Sequence, residues 1–466
     1  MSEFRSEPGS FRDRHGRVFY RDGAVYRALS RQAIEAWDRL EKTRFFPRLV
    51  DEGLIVRTRR VDADGWASTD VPPGDWAGIL RHETVPYVSY LYEWSFRMLQ
   101  DAALLQLRLI SKSLAEGMIL KDATPYNVQW NGSRPVFIDI PSFEPLPPGG
   151  AWTGYRQFCS LYLYPLMLQA YRNLPFQHWL RGSLNGISPR ECRDVLSTRD
   201  LFRSGVLPHV WLQSRFQEKY GARKESASQL LKDAGFNRKA ILSNVSRLTR
   251  LVSRLRWTPP ASQWTGYAGD NTYSGPDREA KREFVRWVVG RKRWKTTWDL
   301  GANTGDYSRL AAAGSEYVLS MERDSASVDL LYRDLRREGP GNILPLVVNL
   351  ADPSPSLGWR CRERTSLTER GSPELVLSLA LIHHMVIAAN IPLAEFVEWL
   401  SGLGGSLVIE FVRRDDPMVR MLLRNKEDQY TDYRMDYFEE CLGKCFRVHR
   451  RRELPSGSRV LYFTEA

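Results

Sequence analysis

The sequence predicts an α/β protein: a doubly wound parallel sheet in the C-terminal half, preceded by a separate α+β domain. Three observations predict it. After Trp257-Thr-Pro-Pro-Ala-Ser, apolar runs and helical patterns alternate for some two hundred residues, as in a parallel sheet with covering helices. Trp298-Asp-Leu-Gly-Ala-Asn-Thr-Gly-Asp-Tyr-Ser308 reads as a buried strand, a tight turn and a helix start. Arg17 to Arg27 holds two alternating runs around Asp22-Gly23, a strong hairpin signal far from that alternation.

In the C-terminal half, 277–290 reads as the helix before the first strand. Glu316-Tyr-Val-Leu-Ser-Met-Glu322 is the second strand, and 325–338 the helix after it. A helix over 393–403 precedes the fifth strand, Ser406-Leu-Val-Ile-Glu410-Phe. A helix over 435–442 and an end strand over 459–463 close the domain. In the N-terminal half, Ser30 caps a helix over 31–42, Val85 to Tyr92 reads as a strand, and 98–116 as a long helix. The expected domains are 1–225, a connector over 226–262, and 263–466.

The connector is basic. Between Phe236 and Gly269 there are six Lys/Arg and no Asp or Glu. Ile241, Val245, Leu248, Val252 and Leu255 recur at helical spacing, with Arg247, Arg250 and Arg254 on the other side. No nucleic-acid motif accompanies them, so the net charge of +12 reads as a solvated surface and nucleic acid is not the expected partner. With 466 residues, 42% hydrophobic, the chain has ample core material. The polar start lacks a signal-peptide core, and no stretch reaches the ~18 apolar residues of a membrane span. The five cysteines form no C-x-x-C, and no second ligand pair joins Cys441 and Cys445, so neither disulfides nor zinc are expected. A soluble, cytoplasmic chain follows as the expectation.

The turn after Trp298 carries the chemistry. Its spacing, Gly301-x-x-x-Gly305, is neither the three-glycine dinucleotide signature nor a phosphate loop ending in Gly-Lys-Ser/Thr. It suits a ligand with a ribose and no pyrophosphate. Glu322 lies 23 residues after Asp299, where an acid at the end of the second strand can accept both ribose hydroxyls.

Asp299-Leu-Gly-Ala-Asn-Thr-Gly resembles motif I of the class I S-adenosylmethionine-dependent methyltransferases, which are Rossmann-like. Glu322 is similar to their second-strand acid. Pro345-Leu-Val-Val-Asn349-Leu-Ala-Asp352 resembles their third strand, whose end contacts adenine. Leu375-Val-Leu-Ser-Leu-Ala-Leu-Ile-His383-His384 resembles their fourth strand. The resemblance covers about residues 260–466. It departs at Ala302 and Asn303, which replace the usual middle glycine. It implies S-adenosylmethionine as cofactor, bound by Asp299, Gly301, Asn303, Gly305, Glu322 and Asn349, with Tyr267 and Tyr273 as an aromatic lid or a packed connector. His383 or His384 could take a proton from, or orient, an acceptor hydroxyl or amine, while the other packs. Glu410 faces the same rim, as a substrate contact or a paired acid. More loosely, the whole chain resembles nodulation-associated and cell-surface-glycan methyltransferases, which implies a small-molecule or glycan acceptor.

Asp122-Ala-Thr-Pro-Tyr-Asn127, followed by Asp139, forms a second constellation. It resembles the catalytic loop of kinase-like phosphotransferases, with Asp122 as catalytic residue and Asn127 and Asp139 holding Mg²⁺. It departs from that pattern too. Arg27 stands where a phosphate-binding lysine belongs, no G-x-G-x-x-G is present, and Asp139 opens Asp-Ile-Pro. Asp and Asn also cap turns, so a structural role stands beside the catalytic one. The alternatives are a bifunctional phosphotransferase–methyltransferase, or a methyltransferase with a catalytically silent binding module.

Overall fold

The computed structural model describes residues 4–62, 66, 70–215, 238–259, 275–424, 426 and 429–465. The chain divides into two compact units. The first takes most of the chain before Pro260 together with Leu357–Arg364; the second takes most of the remainder together with Asn131–Arg134.

The first unit opens with an antiparallel sheet of β1 (Phe4–Ser6), β2 (Gly16–Arg21), β3 (Ala24–Leu29), β4 (Thr58–Val61) and β5 (Gly78–His82), in the order β1-β2-β3-β5-β4. Asp22 (φ 50°) and Gly23 (φ 73°) are both left-handed, as a two-residue hairpin turn requires. Phe19 stacks on Tyr26 across the hairpin, with ring centroids 5.5 Å apart. Ser30 caps α1 (Arg31–Glu41) by accepting from the Ala33 N–H. The long helix α2 (Phe96–Leu114) starts at Ser95, whose hydroxyl accepts from the Met98 N–H, and is buried along most of its length. Then come β6 (Met118–Leu120), the loop carrying Asp122, a hairpin of β7 (Val128–Asn131) and β8 (Arg134–Phe137), and β9 (Phe143–Pro145), which pairs with β6.

One expectation changes here. The stretch 85–92 is not a strand. Its backbone is satisfied by side chains: Gln129 accepts from the Ser89 N–H and Glu93 from the Tyr90 N–H. The basic helix α3 (Arg238–Arg254), expected as an amphipathic connector with a solvated basic face, falls within the first unit. Its five apolar positions are buried, its arginines 247, 250 and 254 are exposed, and Gln100 of α2 donates to the Leu255 carbonyl at 3.0 Å. No described helix is long and apolar enough to cross a membrane.

The second unit is the expected open sheet. Helix α4 (Gly275–Val289) precedes β10 (Trp294–Leu300), α5 (Asp306–Ala312), β11 (Ser315–Glu322), α6 (Ser325–Glu338) and β12 (Ile343–Val347). Then follow β13 (Leu375–Ser378), α7 (Leu393–Gly402), β14 (Ser406–Val412), α8 (Pro417–Leu423), α9 (Met435–Cys445), β15 (Arg447–Glu453) and β16 (Arg459–Glu465). The order is β12-β11-β10-β13-β14-β16-β15, with five parallel strands and β16 antiparallel to both neighbours. Phe284, Val285 and Val288 of α4 join Val318, Leu377, Val408 and Phe463 in one core. Strand order reverses between β10 and β13, and open α/β sheets bind ligands beyond the carboxyl ends of strands at such a point.

Candidate functional site

Three left-handed residues within five shape the turn after β10: Gly301 (φ 75°), Asn303 (φ 50°) and Gly305 (φ 82°). The departure at Asn303 thus has a physical reason, because Asn is among the few non-glycine residues that tolerate this region. The N–H groups of Gly301 and Ala302 both donate to the Met321 carbonyl, at 2.9 and 3.0 Å, and tie the turn to β11. A Cβ on Gly301 would sit 3.2 Å from Leu381 Cδ1; one on Gly305 would sit 2.6 Å from Leu331 Cδ1. Gly301 therefore opens the turn toward the β13 end, and Gly305 lets α5 pack against α6.

Asp299 is buried below this turn and accepts from the Ser308 hydroxyl at 2.6 Å. Burial pushes its carboxyl up to about 6, against the opposing pull of Ser308 and Lys281. Glu322 accepts from the Asn303 N–H at 3.1 Å through one oxygen and from the Asp324 N–H at 2.9 Å through the other. Burial raises its carboxyl too, partly offset by those backbone donors. Asn303 Oδ1 is buried and has no hydrogen-bond partner among the described residues. Asn349 is exposed on the rim beyond β12, where its side chain accepts from the Ala351 N–H.

The two histidines separate. After β13 the chain turns through Ala380 (φ 52°) into a π-helical turn, His384–Ala388, an arrangement frequent at functional sites. His383 is fully buried, and neither ring nitrogen has a partner among the described residues. Burial, then His384, Arg459 and Lys281, hold it well below the ordinary histidine value. His384 is only partly covered, with its ring 4.2 Å from that of His383. Burial and Arg323 lower it to about 4, so it is neutral at pH 7. Ser378 Oγ, at the end of β13, is another buried atom with no partner among the described residues.

Glu410 is not on the rim. It is fully buried, 2.6 Å from Lys281 Nζ and 3.3 Å from Arg459, which in turn holds Asp416 at 2.8 Å. Lys281 also lies over the Tyr307 ring, 4.7 Å from its centroid. Sequence reasoning missed Lys281. Its signal was a lysine on the face of α4 that otherwise buries Ala280, Phe284, Val285 and Val288. Tyr267 and Tyr273 lie outside the described residues.

In the first unit, Asn127 donates to Asp139 Oδ2 at 3.1 Å, and Gln106 donates to the Asp122 carbonyl at 2.9 Å. Burial, then the charge of Asp139, raises the Asp122 carboxyl. Asn127 and Asp139 are in contact. The Mg²⁺ expected on Asn127 and Asp139 does not fit, however, because the guanidinium of Arg27 is paired with the other oxygen of Asp139. No group of three or more His, Cys, Asp or Glu among the described residues is placed to hold a metal.

No family model matches the chain. The nodulation protein NoeA of Rhizobium meliloti (strain 1021) is 35% identical over 465 residues, 98% of this chain and 95% of that protein. The chain belongs to the NoeA family. Among solved structures, the N-methyltransferase NodS from Bradyrhizobium japonicum WM9 is similar over 41% of this chain and 97% of its own, at 10% identity and a TM-score of 0.30. Magnesium protoporphyrin IX methyltransferase from Synechocystis PCC 6803, with bound S-adenosylhomocysteine, is similar over 44% of this chain and 92% of its own, at 18% identity and a TM-score of 0.31.

Proposed function

We propose that this member of the NoeA family transfers a methyl group from S-adenosylmethionine to a hydroxyl or amine of a small molecule or glycan. The reading rests on one observation above the others. At the point where strand order reverses, Glu322 is locked to the Asn303 backbone while Asn303 Oδ1 is left buried with no partner among the described residues. A ribose presents hydroxyl donors that such a carboxylate and amide oxygen would satisfy, and a buried acceptor left open is costly. Gly301 keeps the turn free of a side chain beside them.

The cofactor, when bound, supplies a methyl group already activated by its sulfonium. The chain's own residues then bind, align and exclude water. Asp299 sets a carboxylate beneath the turn, and a cation bound nearby would lower its pKa again. His384, neutral and partly open to the crevice, accepts a hydrogen bond from the acceptor and holds its nucleophilic atom in line. His383 supports it from inside. Asn349 bounds the adenine end of the crevice.

The first unit serves as a binding module in this reading, with its boundary near residue 260. Arg27 on Asp139 speaks against phosphoryl transfer there. Calorimetric titration of S-adenosylmethionine into the full chain tests the assignment. Micromolar-range binding that is weakened in Glu322→Ala supports it, and no binding to wild type refutes it.

A further inference from the structure

In the first unit Asn127 Nδ2 donates to Asp139 Oδ2 at 3.1 Å, so an amide and a carboxylate meet there, and the Asp139 charge acts on the Asp122 carboxyl. Two carboxylates and an amide oxygen are an ordinary partial ligand set for Mg²⁺ or Mn²⁺, with waters completing the shell. Here the positive charge comes from the chain itself. Arg27 sits in the middle of β3, where it pairs in register with Val18 of β2 and Leu80 of β5, so its backbone is held from both sides. Its guanidinium is ion-paired with Asp139, and both side chains are mostly buried, at 14% and 18% exposed. His82 on the neighbouring strand adds no competing cation. Its ring nitrogen lies 2.9 Å from Thr58 Oγ1, and burial with Arg27 holds it neutral, down to about 3.

We propose that Arg27 is a tethered cation occupying the position a divalent metal would take against Asp139. The natural chain is then indifferent to Mg²⁺ at this corner. Removing the charge of Arg27 turns the corner into a divalent-cation site. Arg27 is thus the residue that separates this module from a metal-dependent one.

The experiment uses the full chain and Mn²⁺, read by electron paramagnetic resonance. Arg27→Met, which keeps bulk and loses charge, should bind Mn²⁺ at least ~10-fold more tightly than wild type. Arg27→Lys, which keeps the charge, should behave as wild type, and adding Asp139→Asn to Arg27→Met should abolish the gain. Millimolar Mg²⁺ should raise the melting temperature of Arg27→Met and leave wild type unmoved. Should Arg27→Met fail to fold without metal, refolding in Mg²⁺ becomes the readout: recovery that disappears with Asp139→Asn supports the proposal. Wild-type Mn²⁺ binding that depends on Asp139 would overturn it. So would a folded Arg27→Met with no gain, or failure of both Arg27→Met and Arg27→Gln to recover in Mg²⁺. S-adenosylmethionine binding should be equal in these variants, so the outcome is separable from the methyl-transfer reading.

Discussion

The Asn303 N–H donates to Glu322 Oε2 at 3.1 Å, which joins the turn after the first parallel strand to the acid at the end of the second. Two features 19 residues apart in sequence thereby act as one. With Asp324 N–H on its other oxygen, Glu322 is fixed in orientation before any ligand arrives. That preorganisation lowers the cost of ordering the site on binding.

Glu322→Ala should weaken S-adenosylmethionine binding by ~1–3 kcal/mol, the cost of leaving the partner hydroxyls and the Asn303 N–H without an acceptor. Glu322→Gln keeps an oxygen and should lose less. Calorimetry on the three proteins decides it; equal affinity in wild type and Glu322→Ala would remove the ribose assignment.

Gly301→Val should abolish methyl transfer while the chain still folds. Its φ of 75° is hostile to a β-branched residue, and its Cβ would press on Leu381, 3.2 Å away. Strain of this kind costs ~1–3 kcal/mol, tolerable for a large domain but damaging to the crevice wall. Activity retained with an unchanged melting temperature would place the ligand elsewhere.

The second unit was largely legible because buried parallel strands read as continuous apolar runs and their helices carry a 3.6-residue period. The helix Ser325–Glu338 matches its sequence reading at both ends because Asp324 caps it, accepting from the Ala326 and Ser327 N–H groups. Strand order was not legible, since pairing between β10 and β13 joins residues some 78 apart, as Thr297 with Leu375. The edge strand Arg447–Glu453 escaped notice because charged residues break any apolar alternation, a composition common at sheet edges. In the site, the glycines and Glu322 were visible as local motifs. That His383 is fully buried while His384 is only partly covered was not, because two adjacent histidines look alike in sequence and their burial is set by packing from distant segments.

His384→Ala should lower the methyl-transfer rate by roughly a hundredfold, as loss of acceptor alignment does, with cofactor affinity unchanged. His384 also ties stability to pH. Its folded value is about 4 against an ordinary 6.5, so the unfolded chain binds more protons between these values. The contribution is present above pH 6.5 and is lost as pH falls toward 4. Asp299 acts with the opposite sign: raised from 3.8 to about 6, it favours the folded state at low pH and loses that contribution as pH rises through 6. Melting wild type and His384→Gln from pH 7.5 to 4.5 isolates the histidine. The variant should lose less stability on acidification, and parallel curves would show that His384 is not held neutral.

Lys281→Met should destabilise the second unit by about 3 kcal/mol, although methionine matches the lysine stem in bulk. Glu410 has no exposure through which to regain water, and Lys281 Nζ lies 2.6 Å away. Arg459 is already shared with Asp416, so it cannot fully replace the lost ammonium. Adding Glu410→Gln removes the uncompensated charge and should restore part of the loss, because a buried pair is costlier to break than to delete. Denaturant unfolding of the two single variants and the double variant gives the coupling directly. Additive losses would mean that Lys281 and Glu410 act independently. Restoration in the double variant would show that the ammonium is there to balance Glu410 beneath the crevice, beside Tyr307 and Asp299.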